Sequence, residues 1–222
     1  MYVPAHFAAH DQAQIAAFVD QAGAADLVTF DGTRLVSTLL PVIWERNNAG
    51  NGRLIGHIAL TNPQWRDAVN DVPALAIFHG PQAYISPSWY QSTKEHGRTV
   101  PTWNYTTVHM SGPVTFHRDD AWLENVVTML TERHEAGRPE RWRVEDAPPA
   151  FIAGQLRAIV GVEMTVQQIE AKDKLSQNRT PRDRAGVISA LRTEAAAGAQ
   201  AIAELMASRE SVRASAGDPA MG

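Results

Sequence analysis

Apolar positions repeat with a helical period at the start of the chain and with a two-residue period soon after. Ile15, Phe18, Val19 and Ala22 fall at i, i+3, i+4 and i+7, one face of a short helix that Asp11 can cap and Gly23 can end. Residues 26–30 and 33–44 then read as strands around Asp31-Gly32. That dipeptide predicts a two-residue hairpin turn, because such turns need positive φ. Residues 53–60 form the next strand, paired with the second across an Asn- and Gly-rich loop at 47–52; Pro41 marks a strand end, an edge or a bulge. Asn62-Pro63 starts a short helix, with Asn as cap and Pro where its missing N–H costs nothing.

The apolar run at 72–79 predicts a strand buried on both faces. Gly80-Pro81 is expected to turn the chain into another strand at 82–86, and 87–98 is a polar connection. Residues 101–117 read as one long strand, bent or bulged near Gly112-Pro113. Asp119 or Asp120 caps a helix to about Glu135, with Leu123, Val126, Val127 and Leu130 inward. A short helix at 150–157 precedes a last strand at 158–170, where Val160, Val162, Met164 and Val166 alternate. Residues 181–207 are helical and alanine-rich, and 209–222 has little to bury. About seven antiparallel strands with segregated helices predict an α+β protein built around a β-barrel. Strand–helix alternation and G-x-G-x-x-G are both missing, which disfavours a doubly wound sheet.

Composition narrows the class. The 222 residues suit one large domain or two small ones. With no cysteine, a disulfide scaffold, a thiolate metal site and a cysteine nucleophile are excluded. No stretch nears the roughly 20 apolar residues of a membrane span, and the N-terminus lacks the pattern of a secretory leader. A cytoplasmic location is the expectation. The net charge of −4 divides into −6 over residues 1–170 and +2 over 171–222. That bias is small and interspersed with acids, so DNA binding finds no support in the charge.

Four segments concentrate polar and aromatic chemistry. In GHIALTNPQW (56–65) a strand runs into a helix whose first turn could favour an anion; an ordinary cap with Trp packing is the plain alternative. GPQAYISPSWY (80–90) and VPTWNY (100–105) set aromatics beside hydroxyls and an amide at strand ends, suited to a flat heteroaromatic ligand or to core packing. KDKLSQNR (172–179) offers many donors for a phosphate, a carboxylate or nucleic acid, or is a solvated loop. No nucleophile elbow, H-E-x-x-H or P-loop is present.

Taken in order, the opening Met1-Tyr2-Val3-Pro4, these segments, His109 and KLSQNR resemble the PaiB-type family of FMN-binding negative transcriptional regulators, across residues 1–191. The resemblance implies an antiparallel split β-barrel with flanking helices, like that of pyridoxamine-phosphate oxidases and flavin reductases. The barrel would occupy residues 1–175, a C-terminal helical extension 176–208 and a disordered tail 209–222. A homodimer is implied, with FMN in grooves between subunits and a flavin-dependent redox or regulatory role toward a small molecule. By position the cofactor residues are Thr38, His57, Thr61, Asn62, Gln64, Tyr84, Ser86, Ser88, Trp103, Asn104, Lys174, Ser176, Gln177, Asn178 and Arg179. His57 is the expected catalytic, titrating group. Leu39 and Leu60 depart from the family, where many members carry His and a basic residue. Haem b is the alternative cofactor, with His57 (or His109) as iron ligand, as in piperazate synthases that form an N–N bond. A regulator acting through DNA or a partner protein is the other alternative.

Overall fold

The structure, a computed structural model, describes residues 1–47 and 50–215. Eight strands pair in the order β6-β7-β3-β2-β1-β4-β5-β8, where β1 is Ala24–Phe30, β2 Leu35–Asn47, β3 Gly50–Ala59, β4 Ala74–Ile85, β5 Thr102–Gly112, β6 Val114–His117, β7 Ile159–Thr165 and β8 Gln168–Lys174. The chain divides into two compact units. Residues 11–78 and 108–170 form the larger, and 1–10, 79–107 and 171 onward the smaller.

In the larger unit, Asp11 caps α1 (Gln12–Ala22) by accepting the N–H groups of Ala13 and Gln14, and Gly23 ends it at φ 64°. β1 and β2 pair antiparallel up to Phe30 and Leu35, so the connection is four residues and not the expected two. The cause is Asp31. Its carboxylate accepts from Thr33 N, Arg34 N and the Thr33 hydroxyl at 2.7–2.8 Å, which closes a wider loop. Pro41 is where β2 changes partner: Ala24 lies opposite Pro41 in β1, and Val42 opposite Gly56 in β3. A Cβ on Gly56 would stand 2.6 Å from the Pro41 carbonyl, so this crossing requires glycine.

Leu27, Leu40, Val42, Leu54, Ala76, Val162 and Met164 fill the inner face of these strands. Each Leu, Val or Met side chain so buried contributes about 1.5–3 kcal/mol. On the outer face, α4 (Asp120–Glu135, capped by Asp119) packs Val126 and Leu130 against Ile55, with Ile43, Trp122 and Met129 around them. The short helices α2 (Gln64–Asp67) and α5 (Pro149–Leu156) complete the unit.

Three strand expectations are corrected. Gly80-Pro81 makes no turn, and β4 runs through it, because proline's fixed φ fits an extended backbone. The long strand expected at 101–117 is two, parted at Pro113. A Cβ on Gly112 would meet the Thr165 carbonyl at 1.8 Å, so the chain breaks at that close approach. The strand expected at 158–170 also divides, into β7 and β8, as Val166 N–H bonds to Gly52 O and Gln167 N–H to Ser111 O.

The smaller unit packs α6 (Pro181–Leu191) and α7 (Ala199–Ser215) around Ile85, Tyr90 and Leu175, through Val187, Leu191, Ile202, Ala203 and Met206. A further helix, α3 (Gln91–His96), lies in the stretch expected as a polar connection. The expected boundary at residue 175 falls inside this unit. Residues 209–215, expected to fray, continue α7, and ion pairs of Arg209 and Glu210 hold that turn; 216–222 lies outside the described residues. Among the described residues no helix is long and apolar enough to cross a membrane.

Candidate functional site

The structure gathers the sequence-predicted residues into two sets, one in each unit. In the smaller unit, Lys174 ends β8, and its ammonium donates to Thr102 Oγ1 and to the Trp103 carbonyl at 2.5 Å each. Burial, with Lys172 and Arg179 nearby, pushes its pKa below the ordinary lysine value. An ammonium has three donors, so one is left for a ligand.

Two residues away on the same face of the strand, Lys172 is 7% exposed. It donates to the Tyr2 carbonyl at 3.0 Å and lies 5.3 Å from the Tyr105 ring centroid. The Arg179 guanidinium sits 4.7 Å over the Tyr90 ring. Among the described residues none of these three cations is paired with a carboxylate. Lys172 was missed as a site residue, although its i, i+2 spacing to Lys174 was visible.

Aromatic surface lies in the same unit. Tyr84 and Trp103 are each about half exposed and meet edge to face at 6.3 Å, and Trp103 Nε1 donates to Gln82 Oε1 at 2.9 Å. The remaining predicted donors of this unit hold one another. Asn104 and Ser176, both buried, form a mutual hydrogen-bonded pair (3.0 and 3.2 Å). Ser176 stands at φ 62°, a left-handed conformation unusual for a residue with a Cβ. Gln177 accepts the Leu175 N–H at 2.7 Å and donates to the Asp173 carbonyl. Ser86 and Ser88 share a 2.8 Å hydrogen bond. Asn178 is exposed. So of KLSQNR, Lys174, Asn178 and Arg179 retain groups that face outward, while Ser176 and Gln177 shape the turn.

In the larger unit Asn62 donates to Thr38 Oγ1 at 2.9 Å and accepts the Gln64 N–H at 3.0 Å. At the helix start read as favouring an anion or as an ordinary cap, α2 has only four residues and Asn62 accepts the Gln64 N–H, which is the capping arrangement. Gln64 is 1% exposed. Its Nε2 faces Leu27 O, Thr29 Oγ1 and Val36 O at 3.0–3.2 Å, while Oε1 is buried without a partner among the described residues. Two of those neighbours are carbonyls, which fixes the amide's orientation. Thr61 is exposed on the preceding turn.

His57 lies on β3 opposite Gly161 of β7, which in turn lies opposite His117 of β6. The Trp122 indole rests on Gly161, where a Cβ would come within 2.0 Å of the ring, and stacks on His117 at 4.2 Å. His57 is half-buried, and desolvation pushes its pKa below the usual value, which favours the uncharged imidazole. Leu39 points outward and is 67% exposed; Leu60 is partly buried, and its carbonyl accepts from Trp65 Nε1 at 3.0 Å. Sequence reasoning gave no role to Trp122, His117 or Gly161. Only the strand register brings them beside His57. Among the described residues no group of three or more His, Cys, Asp or Glu could hold a metal ion.

Residues 1–168 match the protein family described as "Putative FMN-binding domain". Over 208 residues the chain is 36% identical to the Protease synthase and sporulation protein PAI 2 of Bacillus subtilis, covering 93% of this chain and 96% of that one. Two solved structures share its fold with a TM-score of 0.56 each. The flavocytochrome Anf3 from Azotobacter vinelandii is 15% identical, over 89% of this chain and 81% of its own. The FAD and heme binding protein from Mycobacterium smegmatis is 13% identical, over 86% and 81%. The architecture is the α+β split-barrel type, with its antiparallel sheet and flanking helices. By sequence match, coverage and fold, this chain belongs to the FMN-binding domain family and, within it, to the PaiB type.

Proposed function

We propose that the protein is a homodimer that binds FMN non-covalently and uses it in a redox or regulatory role toward a small molecule. One observation carries this reading: three cations without carboxylate partners share a unit with the half-exposed Tyr84–Trp103 pair. FMN combines a phosphate dianion with a flat ring, and this donor set fits both parts. Lys174 and Arg179 would hold the anionic group, and Trp103 and Tyr84 would cover the ring. Asn104 and Ser176 keep the turn between them in shape. When bound, the flavin supplies electron or hydride transfer.

The homodimer reading rests on the outer face of β2. Its later half is covered by α4 at Ile43, but Leu35 and Leu39 remain 73% and 67% exposed. A second copy laid on that face would bury both. The name of the Bacillus subtilis relative, which concerns protease synthesis and sporulation, is consistent with a regulatory role. Titrating FMN with the protein tests the reading. Lys174→Gln with Arg179→Gln is expected to weaken binding at least tenfold, since each charge-assisted hydrogen bond contributes about 1.5–3 kcal/mol. Equal affinity in the double variant would contradict it.

A second reading has its own observation. Burial favours the uncharged His57 imidazole, which makes no side-chain hydrogen bond among the described residues, and both features suit an axial ligand of haem. A Soret band on haem addition, lost in His57→Ala, would support it, and its absence would remove it.

A further inference from the structure

The loop 174–179 is tied at both ends to two neighbouring residues of α7. At its start, Asp173 lies between Lys172 and Lys174 in β8, so strand alternation turns its carboxylate to the opposite face. Arg209 of α7 meets that carboxylate, NH2 to Oδ2, at 2.5 Å. At its end, Glu210 accepts from Arg184 Nε and NH2 at 2.7 and 2.9 Å, a two-pronged pair. Arg184 is 8% exposed, and its third nitrogen, NH1, donates to the Arg179 carbonyl. Met206, one turn earlier on α7, accepts at Sδ from Asn104 at 3.5 Å, and Asn104 in turn holds Ser176 at the middle of the loop.

These contacts take up the carboxylates beside the loop. Asp173 goes to Arg209, Glu210 to Arg184, and Asp183 to the Ser92 N–H and hydroxyl. Among the described residues Lys174 and Arg179 form no ion pair, although Asp183 still feels the Arg179 charge at longer range. We propose that Arg209 and Glu210 are positioning residues, clamping the two ends of this loop so that α7 sets the affinity for the anionic group of the ligand. The proposal rests on the FMN reading for the ligand, but the clamp itself does not. Asp173, Arg184, Arg209 and Glu210 all lie beyond residue 168, where the family match ends.

Trypsin reads the clamp directly in ligand-free protein, because it cuts after Lys174 and Arg179. In Arg209→Gln/Glu210→Gln both cuts are expected at least tenfold faster than in wild type, with each protein digested well below its own thermal midpoint. FMN affinity, read by flavin fluorescence, should fall at least fivefold in that variant, and Arg209→Lys should retain it. Wild-type cutting rates in the double variant would overturn the clamp. Faster cutting with unchanged FMN affinity would overturn the positioning role. If wild-type protein bound no FMN, the FMN reading would fail, and the trypsin rates would still decide the clamp.

Discussion

Lys174 is partly buried and donates hydrogen bonds to Thr102 Oγ1 and the Trp103 carbonyl, which leaves one of its three N–H groups for a ligand. Its pKa lies below the ordinary lysine range, and the ammonium is lost as pH rises through that lowered value. The pH dependence follows: FMN affinity is highest while Lys174 is charged and declines with rising pH, earlier than for an exposed lysine. Lys174→Arg should carry tight binding to higher pH, and flavin fluorescence titrations across pH would show it. Gln64 presents a second residue-scale case. Replacing it by Leu leaves the Leu27 and Val36 carbonyls without this donor. A loss of about 1–3 kcal/mol is expected in urea unfolding, though Oε1, already unsatisfied, offsets part of it.

Elements were legible where one local cause decides them. Asp11 and Gly23 bound α1 as read, and Asp119 starts α4, because a cap needs only its own neighbours. Gly80-Pro81 was misread because a dipeptide's turn preference is weak against strand pairing on both sides. Asp31-Gly32 marked the right hairpin, but its loop length depends on where the Asp31 carboxylate finds N–H partners. Those bonds hold the Asp31 carboxyl well below the usual range. Its folded pKa is depressed, so the stability it adds is present above the unfolded value and is lost as pH falls toward the folded one. Asp31→Asn should flatten the acid limb of the stability–pH curve. The candidate site was half legible. Lys174 and Arg179 declared themselves by charge, whereas the Gly161–Trp122–His117 row depends on register between β3, β7 and β6. Gly161→Ala tests that row: its Cβ would strike the indole, for a cost of about 1–3 kcal/mol and a changed tryptophan emission.

At the scale of the whole molecule, a net −4 chain places Lys172, Lys174 and Arg179, without carboxylate partners among the described residues, in one unit and leaves Leu35 and Leu39 exposed on a strand face of the other. The proposed dimer with an anionic flavin would give a use to both. Light scattering should report twice the chain mass. Leu35→Asp with Leu39→Asp should shift it to the single-chain value, and an unshifted mass would place the contact elsewhere. Lys174 and Arg179 are proposed to hold FMN, and a flavin fluorescence titration of wild type beside Lys174→Gln/Arg179→Gln decides it. Wild type should bind saturably at one FMN per chain, and the variant at least tenfold more weakly; a wild type that binds no FMN, or a variant that binds it equally well, would overturn this assignment.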